Sequence, residues 1–414
     1  MNEAMNRRNF LKTSTLAAGS ALLATPVARA MGANDRIRVG IVGMGVRGTQ
    51  HLKALAQLAE RQLANVEVTA VCELWTPWRE KAVAEAQKLT GRKPEAFVRH
   101  TELLERGDVD AVIITTPDFW HVPILLDCIK AGKDVYVEKP LCVHFEEAKL
   151  ARAAVKASDR IVQVGTQRRS ETKFHAAREF VKSGRLGKII TADGAYNDRS
   201  PRWRREAECK AMKESDFDWK FYLRDLPYRP FNPRHVLEWK LFREFTMGVS
   251  GLLGCHMYDI MQFVLDAPFP SSAVSLGGVY VYKDGREVED TFETLIEFPE
   301  EFILHYTTRL GNAVQPNLTL YGTNGMLDLD RAVYSGKGGL PGDALLPAEE
   351  QKLKVEKARP HAHMLDFLEC MRSRKEPIAG IDVGYQHAVT SLLAQEAMRS
   401  GRKLRYDRQK DEIV

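Results

Sequence analysis

A glycine-rich turn near the start of the chain constrains the possible folds most. Residues 43–48 read Gly-Met-Gly-Val-Arg-Gly, the G-x-G-x-x-G pattern, and they directly follow the apolar run Ile37–Val42. Glycines at this spacing allow a tight turn, a close approach of the backbone to a phosphate, and close packing of the next helix on the strand. The pattern therefore predicts a strand, a phosphate-binding turn and a helix, and with them a dinucleotide site.

Strand and helix patterns alternate over the next hundred residues. Short apolar runs typical of strands buried on both faces occur at residues 66–71, 109–115, 134–137 and 161–164. Helical patterns separate them at residues 48–64, 77–90, 121–130 and 145–157. This order predicts an N-terminal Rossmann domain over residues 36–160, built on a doubly wound parallel sheet.

The pattern changes after about residue 190. Alternating runs joined by short turns predict strands at residues 273–282, 291–298, 301–309 and 317–321. Helices that would cover one face of this sheet, or close the chain, are predicted at residues 171–184, 251–266, 361–373 and 383–400. Residues 199–246 are expected to form an insertion with little regular structure, and residues 335–359 a surface loop. We therefore expect an α/β protein whose second domain, residues 161–410, carries an open and mostly antiparallel sheet.

Residues 1–30 have the features of an export signal. The pair Arg7-Arg8 precedes an apolar run at residues 15–24, and Ala-Arg-Ala follows at residues 28–30. This arrangement resembles a twin-arginine signal peptide, which is not part of the fold. It predicts the twin-arginine export machinery as a partner and a periplasmic or otherwise exported location.

Charge and cysteine usage exclude several classes of function. The chain of 414 residues has a net charge of +5, and residues 1–30 hold four basic side chains against one acidic one, which is +3. The remaining charge of about +2 argues against nucleic-acid binding. The six cysteines form no C-x-x-C pair, and His361-x-His363 lacks a carboxylate cluster, so we expect no metal site.

The second predicted strand ends in an acidic residue that favours NAD over NADP. Glu73 lies 25 residues after Gly48. A carboxylate there would accept hydrogen bonds from the ribose hydroxyls of the adenosine and repel a 2′-phosphate. The predicted cofactor-binding residues are Gly43, Gly45, Val46, Arg47, Gly48, Glu73, Thr116, Pro117, His121, Glu138, Lys139 and Gln167.

Two further motifs follow predicted strands and make a family resemblance specific. Residues 116–118 read Thr-Pro-Asp, and residues 132–140 read Gly-Lys-Asp-Val-Tyr-Val-Glu-Lys-Pro. Together with residues 39–45, they resemble the motifs of the Gfo/Idh/MocA oxidoreductase family, and the resemblance covers nearly the whole chain from residue 36. The resemblance implies a nicotinamide-binding Rossmann domain, a C-terminal α/β domain whose open sheet mediates homo-oligomerisation, and an active site between the two.

The resemblance also implies roles for individual residues. Lys139 matches the lysine that orients the substrate, His256 matches the acid–base histidine, and Asp259 matches an aspartate that often follows it. In the family an aspartate often stands four residues before the histidine, but this chain has Leu252 there. A leucine side chain can neither relay a proton nor add negative charge. Substrate-binding residues are expected to be Lys139, Arg168, Tyr196, Arg199, His256 and Asp259.

These features leave three functions open. The first is an NAD(P)-dependent oxidoreductase that acts on a sugar or polyol hydroxyl by hydride transfer. The second, which the resemblance allows, is an NAD-using glycoside hydrolase that works by transient oxidation and elimination. The third is a non-catalytic sugar-binding protein that holds the cofactor, which Leu252 favours. We expect NAD to be tightly bound, because an exported enzyme meets no soluble NAD pool.

Overall fold

The computed structural model describes residues 35–341 and 346–414. The predicted signal peptide at residues 1–30 lies outside the described residues, so it stays a prediction. Residues Ile37–Val414 form one compact unit. Within the part of the chain that the structure describes, no helix has the length and apolar character needed to cross a membrane.

The first half of this unit is a six-stranded parallel sheet. Its strand order is β3-β2-β1-β4-β5-β6. The strands are β1 (Ile37–Val42), β2 (Val66–Cys72), β3 (Glu95–Phe97), β4 (Ala111–Ile114), β5 (Asp134–Val137) and β6 (Val162–Val164). The helices that alternate with them are α1 (Val46–Glu60), α2 (Thr76–Thr90), α3 (His100–Leu104), α4 (His121–Lys130) and α5 (Phe145–Lys156). The predicted Rossmann architecture is confirmed.

The apolar character of the central strands explains their position. Every residue of β4 and β5 is buried, as expected for parallel strands that are covered by helices on both faces. The strand order reverses between β1 and β4, and the carboxyl ends of these strands open onto the same edge of the sheet. Such a switch point is where open α/β sheets bind their ligands.

The second half is a ten-stranded mixed sheet. Its order is β14-β13-β12-β11-β7-β10-β9-β8-β15-β16. The strands are β7 (Ile189–Asp198), β8 (Ser272–Gly278), β9 (Thr291–Phe298), β10 (Phe302–Leu310), β11 (Thr319–Gly322), β12 (Gly325–Asp328), β13 (Val333–Ser335), β14 (Gln351–Lys352), β15 (Leu404–Asp407) and β16 (Glu412–Ile413). All its pairs are antiparallel except β7 with β10, which confirms an open and mostly antiparallel sheet.

The helices of the second half are α6 (Thr172–Lys182), α7 (Glu206–Ala211), α8 (Trp219–Leu223), α9 (Pro233–Leu237), α10 (Cys255–Leu265), α11 (Ala362–Ser373) and α12 (Ile381–Ser400). Of these, α6, α10 and α12 cover one face of the mixed sheet, whereas α11 packs against the parallel sheet. A single π-helical turn, residues Ser250–Gly254, leads into α10. Helix α12 packs on β8, on α10 and also on α5 of the first half, so the two sheets share one core.

Two predictions about the strands of the second half were wrong. Strand β7 was not predicted, because its Gly, Asp and Asn residues weaken the alternation, yet it lies between β10 and β11 and hydrogen-bonds to both. The strand predicted at residues 273–282 ends at Gly278. Just beyond it, the backbone amides of residues 280–282 donate hydrogen bonds to the carboxylate of Asp290 instead of to a neighbouring strand. The segments 199–246 and 335–359 contain short helices or strands. The domain boundary near residue 160 stays a prediction.

Candidate functional site

A cavity of about 740 Å³ opens at the carboxyl ends of the parallel strands. Its size falls in the range of cofactor and small-ligand sites. One wall is formed by the glycine-rich turn and the ends of β2, β4 and β5, and the other by residues 202–256 of the second half. Of the predicted site residues, it is lined by Gly43, Gly45, Val46, Arg47, Glu73, Thr116, Pro117, His121, Glu138, Lys139, Gln167 and His256.

The glycine-rich turn has the shape that a pyrophosphate requires. Gly43 has a φ of +90°, which side chains disfavour, and a Cβ atom there would lie 2.9 Å from the backbone of Thr115. A Cβ atom on Gly48 would clash with the carbonyl oxygen of Gly43. Helix α1 begins at Val46 without a side-chain cap and without an acidic residue in its first turn. Its free amides and its positive dipole end therefore face the cavity.

Glu73 lies at the end of β2, where the sequence predicts the ribose contact. Its carboxylate accepts hydrogen bonds of 2.8 Å from the Met44 amide and 3.0 Å from the Trp75 amide. Burial raises the pKa of Glu73. The Arg79 guanidinium donates to the Glu73 backbone carbonyl and to the Thr76 hydroxyl. Glu73 thus ties the end of β2 to the turn while its side chain still borders the cavity.

Buried polar groups on this wall fit a dinucleotide. The Trp75 indole N–H and the Thr116 hydroxyl are both buried and have no hydrogen-bond partner within the described residues. Both residues line the cavity. Buried polar groups without partners are costly, so such groups at a cavity surface indicate a ligand that satisfies them. With the helix start and Glu73, these groups match the polar parts of NAD.

Glu138 organises the floor of the cavity. Its Oε1 atom accepts hydrogen bonds from Arg47 Nε at 2.7 Å and Gln167 Nε2 at 2.9 Å, and it lies 2.7 Å from His51 Nε2. The carboxylate is buried, but the Arg47 charge and the His51 contact more than offset burial and hold the pKa of Glu138 far below its usual range. Glu138 is therefore an anion that joins α1, β5 and the segment after β6.

The ammonium of Lys139 contacts the turn that precedes α10. Lys139 Nζ donates a hydrogen bond of 2.7 Å to the main-chain carbonyl oxygen of Leu252. Leu252 lies in the π-helical turn Ser250–Gly254, and its own side chain is buried beside Leu253 and Leu310. A neutral carbonyl thus orients Lys139 from the position where the family often has a carboxylate. Because a carbonyl adds no formal charge, the positive charge of Lys139 stays uncompensated by this partner.

His256 stands in the first turn of α10, on the cavity wall. Its Nδ1 atom is buried without a hydrogen-bond partner in the described part of the chain. Burial and the nearby charge of Lys139 lower the pKa of His256 well below its usual value. The imidazole is therefore neutral near pH 7 and able to accept a proton.

Four predicted substrate residues lie away from the cavity. Asp259 is 1% exposed and forms an ion pair of 2.7 Å with the buried Arg169, so it holds α10 to the segment after β6. Arg168 pairs with Asp330 at 2.8 Å. Tyr196 and Arg199, at the end of β7 and just beyond it, do not line the cavity either. Side-chain direction, which motif position does not specify, separates these residues from the site.

Asp118 of the Thr-Pro-Asp segment and the nearby His121 have structural partners. Asp118 is buried and accepts a hydrogen bond of 2.6 Å from the Thr246 hydroxyl. The ring nitrogens of His121 lie 2.7 Å from the Pro140 carbonyl oxygen and 3.0 Å from that of Thr116. The two histidines of His361-x-His363 have different hydrogen-bond partners. His361 contacts the side chain of Gln57, and His363 contacts the hydroxyl of Ser170. In residues 35–341 and 346–414, no group of three His, Cys, Asp or Glu side chains is placed to hold a metal.

A second lysine, which was not predicted from the sequence, lies in the cavity. Lys240 lines it, as do Trp203, Trp239 and Arg202. All four lie in the segment 199–246, which was expected to be irregular. Its richness in Arg, Trp and Tyr was the available signal, since aromatic rings and cations are common in sugar sites. The signal does not tell which of these residues face inward.

Each half of the chain matches a model of a known protein family. Residues 37–166 match the model described as "Oxidoreductase family, NAD-binding Rossmann fold". Residues 224–405 match the model described as "Oxidoreductase family, C-terminal alpha/beta domain". The two models together cover most of the chain and correspond to the two sheets described above.

Curated relatives resemble part of the chain. An alpha-N-acetylgalactosaminidase from Shewanella oneidensis is 27% identical over 191 residues, which are 45% of this chain and 40% of that protein. A glycosyl hydrolase family 109 protein from Shewanella pealeana is 27% identical over 241 residues, which are 53% of this chain and 50% of that protein. The chain thus aligns with about half the length of these relatives.

Solved structures show the same fold over most of the chain. An aldose-aldose oxidoreductase from Caulobacter crescentus, complexed with glycerol, has a TM-score of 0.66 at 19% identity and covers 89% of this chain and 99% of its own. The WlbA dehydrogenase from Bordetella pertussis, complexed with NADH and UDP-GlcNAcA, has a TM-score of 0.66 at 19% identity, with 90% and 99% covered. The chain therefore belongs to the Gfo/Idh/MocA oxidoreductase family and carries its NAD-binding Rossmann domain.

Proposed function

We propose that this protein oxidises a hydroxyl group of a sugar or polyol with a bound NAD. The observation that carries the proposal is the convergence of Lys139 and a neutral His256 on the cavity that also contains the glycine-rich turn. An ammonium and a neutral imidazole that line the same cavity from its two walls form a proton donor and a proton acceptor for one hydroxyl oxygen.

The residues of the chain account for the movement of the proton. The imidazole of His256 accepts the hydroxyl proton, because its lowered pKa keeps it unprotonated near pH 7. The ammonium of Lys139 stabilises the negative charge that develops on the oxygen. When bound, the nicotinamide ring supplies the acceptor for the hydride that leaves the carbinol carbon. The alcohol thereby loses one proton and one hydride and becomes a carbonyl.

Leu252 is compatible with this chemistry through its backbone. Its carbonyl oxygen holds Lys139 at 2.7 Å, which is the orienting contact that a side-chain carboxylate could also provide. Because the carbonyl is neutral, this hydrogen bond leaves the Lys139 ammonium free of a direct ion pair, so that its charge can stabilise the developing oxyanion. This arrangement supports a catalytic protein over one that only binds sugar.

A second candidate function has support from the curated relatives. Several of them are named glycosyl hydrolase family 109 proteins, and one is named an alpha-N-acetylgalactosaminidase. In such a hydrolase a sugar hydroxyl is oxidised, the glycosidic substituent is eliminated, water adds, and the carbonyl is reduced again. The net reaction is hydrolysis, so NAD is neither consumed nor released.

The first experiment asks whether the cofactor remains bound. The full chain is purified without added cofactor and denatured, and the dinucleotide released per chain is quantified. About one NAD per chain supports a cofactor that cycles in place. A protein that contains no dinucleotide and binds added NAD weakly argues against both candidate functions.

The second experiment separates the two functions. Methyl and nitrophenyl glycosides of hexoses, N-acetylhexosamines and hexuronates are tested for formation of NADH and for release of nitrophenol. Net NADH without nitrophenol supports the dehydrogenase, and nitrophenol without net NADH supports the hydrolase. Lys139→Met should abolish either reaction, whereas Lys130→Met, at an exposed position on α4, should not. Turnover by Lys139→Met at the wild-type rate would contradict the role proposed for Lys139.

Export and assembly are also proposals. The twin-arginine motif at residues 7–8 supports export, which is tested by localising the protein with and without Arg7→Lys and Arg8→Lys. The uncovered face of the second sheet carries exposed apolar side chains, and it supports a homo-oligomer. These include Leu276, Leu295 and Ile303. Light scattering of the wild type and a Leu276→Glu variant would test the oligomer.

A further inference from the structure

Lys240 is a cation that lines the cavity and has no anionic partner among the described residues. It lies in the short turn Trp239–Leu241, and its Nζ atom is 5.0 Å from the centre of the Trp239 ring. Among the residues that the structure describes, none forms a hydrogen bond or an ion pair with this ammonium. A half-buried lysine without an anion is unfavourable unless a ligand provides one.

The neighbouring arginines differ from Lys240 because each one has a carboxylate partner. Arg202 pairs with Asp198 at 2.7 Å, and Arg205 pairs with Glu208 at 2.8 Å. Arg204 pairs with Glu238 at 3.0 Å. These guanidinium groups are therefore neutralised within the protein, whereas the two lysines that line the cavity form no ion pair with a carboxylate of the described residues.

The charges that face Lys240 leave a net positive site. The ammonium of Lys139 and burial both lower the pKa of Lys240, to about 8. Asp118 is the carboxylate whose charge acts against this shift, and it is already hydrogen-bonded to Thr246 at 2.6 Å. The carboxylates near the two ammonium groups, Asp118 and Glu138, are both engaged, Asp118 by Thr246 and Glu138 by Arg47 and Gln167. The two ammonium groups therefore attract a further anion, and they do so more strongly because the cavity is partly shielded from water.

We propose that Lys240 binds a carboxylate on the substrate, so that the protein acts on an acidic sugar such as a hexuronate. The proposal rests on the proposed function, because it assigns the substrate class of the same site. The dinucleotide pyrophosphate has its own binding place at the start of α1, where backbone amides face the cavity. The Trp239 ring beside Lys240 offers an apolar face of the kind that packs against a sugar ring.

The test compares each acidic sugar with its neutral parent. The full-length protein with its cofactor is titrated calorimetrically with the methyl glycosides of glucuronate, galacturonate, mannuronate and iduronate, and with the corresponding hexosides and hexose 6-phosphates. At least one hexuronate should bind about tenfold or more tightly than its hexoside, which is the effect expected for one charge-assisted hydrogen bond.

Substitutions of Lys240 test whether this residue causes the preference for a hexuronate over its hexoside. In Lys240→Met the hexuronate and its hexoside should bind equally, whereas Lys240→Arg should keep part of the preference because it keeps the charge. Lys130→Met is the matched control at an exposed lysine, and it should bind as the wild type does. Lys240→Gln provides a second neutral variant, and thermal unfolding checks that each variant is folded.

Several results would overturn the proposal. For the wild type, they are equal binding of hexuronate and hexoside, or no binding of any hexuronate. For the variants, the contradicting result is an unchanged preference for hexuronate in Lys240→Met and Lys240→Gln. Tighter binding of the 6-phosphates than of the hexuronates would also overturn it. Failure of the proposed function has a different signature: hexuronates bind in a Lys240-dependent manner, but neither NADH nor a released aglycone is formed. If neutral sugars react as well as acidic ones, the function stands and the Lys240 proposal fails.

Discussion

The Lys139 ammonium donates a hydrogen bond of 2.7 Å to the main-chain carbonyl oxygen of Leu252. These residues are separated by more than a hundred positions, and the contact joins the end of β5 to the turn before α10. Since the acceptor is a backbone atom, the identity of the side chain at position 252 is not what orients the lysine. The lysine is therefore held in place without the carboxylate that the family often has at this position.

Leu252→Met is predicted to keep activity. The substitution preserves volume and the backbone carbonyl, so kcat/KM should stay within about threefold of the wild type, as for a well-tolerated core substitution. Leu253→Met, in the same turn, is the control, and steady-state kinetics with the reacting sugar is the measurement. A hundredfold loss in Leu252→Met alone would mean that the leucine side chain itself contacts the substrate.

Gly48→Ala is predicted to weaken NAD binding. Its methyl group would clash with the Gly43 carbonyl oxygen, so the turn must shift. We expect a loss of affinity on the order of tenfold to a hundredfold, which corresponds to the usual cost of overpacking. Calorimetric titration with NAD measures it, and Gly107→Ala is the control because a Cβ atom there meets nothing within 4 Å. Equal affinity in both variants would show that the turn is not the pyrophosphate site.

Glu138→Gln is predicted to destabilise the fold in a pH-dependent manner. The variant leaves Arg47 without its anion, at a cost of about 2 kcal/mol, below the usual cost for a fully buried pair because Arg47 is partly exposed. The folded-state pKa of Glu138 is depressed, so its contribution is present above the usual carboxyl range and is lost as the pH falls through that depressed value. Urea unfolding should show a full difference at pH 7 and a smaller one at pH 3. A difference that does not depend on pH would argue against a charged Glu138.

The affinity for a hexuronate is predicted to fall above pH 8. The pKa of Lys240 is lowered to about 8, so its charge is present below that pH and is lost above it. Four other charged groups also act on this ammonium: Lys139, Asp118, Arg202 and Arg205. All four are present in both the wild type and Lys240→Met, so the comparison of these two proteins isolates the titration of Lys240. The dissociation constant should rise about tenfold from pH 7 to pH 10 in the wild type. It should change less in Lys240→Met, and an equal rise in both would assign the titration to another group.

His387→Leu is predicted to stabilise the protein. His387 is fully buried on α12, and neither ring nitrogen has a partner among the described residues. An apolar side chain of similar size should add about 1 kcal/mol at pH 7.5, since unsatisfied polar groups are removed. Burial lowers the pKa of His387 to about 4, so the wild type loses stability as the pH falls from 6.5 towards 4.

Urea unfolding at pH 7.5 and pH 5 measures both effects of His387→Leu. The variant should lose less stability than the wild type between these two pH values. Part of the loss should persist, because burial also lowers the pKa of His363 to about 4. A variant that is less stable at both pH values would contradict the prediction.

Local signals predicted the cofactor half of the protein well. The glycine-rich turn needs a positive φ and close backbone contacts, and these requirements can be read from residue type alone. The apolar runs of β4 and β5 are buried on both faces, which only a parallel sheet covered by helices provides. The carboxyl ends of such strands necessarily meet at one edge, so the approximate positions of Glu73 and Lys139 followed.

The substrate half was predicted less well because its contacts are between distant segments. Strand β7 is polar enough to be missed, and its pairing with β10 and β11 outweighs its weak strand propensity. Asp259 follows His256 by three residues in α10, yet the buried Arg169 draws its carboxylate away from the cavity. The spacing of residues along a helix predicts which face of the helix a side chain lies on. Whether a polar side chain on that face reaches the cavity depends on the hydrogen-bond partner that the neighbouring segment provides.

The sequence alone therefore determined the Rossmann fold and the glycine-rich turn of the NAD site, because turn geometry and strand periodicity are local properties. The roles proposed for Lys139 and His256 came instead from the resemblance of their motifs to those of the Gfo/Idh/MocA family. Only the tertiary structure decided that a backbone carbonyl of Leu252 holds Lys139 and that Lys240 faces the cavity without an anion. Both facts depend on where the segment 202–256 packs against the parallel sheet. Residue type does not encode that position, since it results from the whole core.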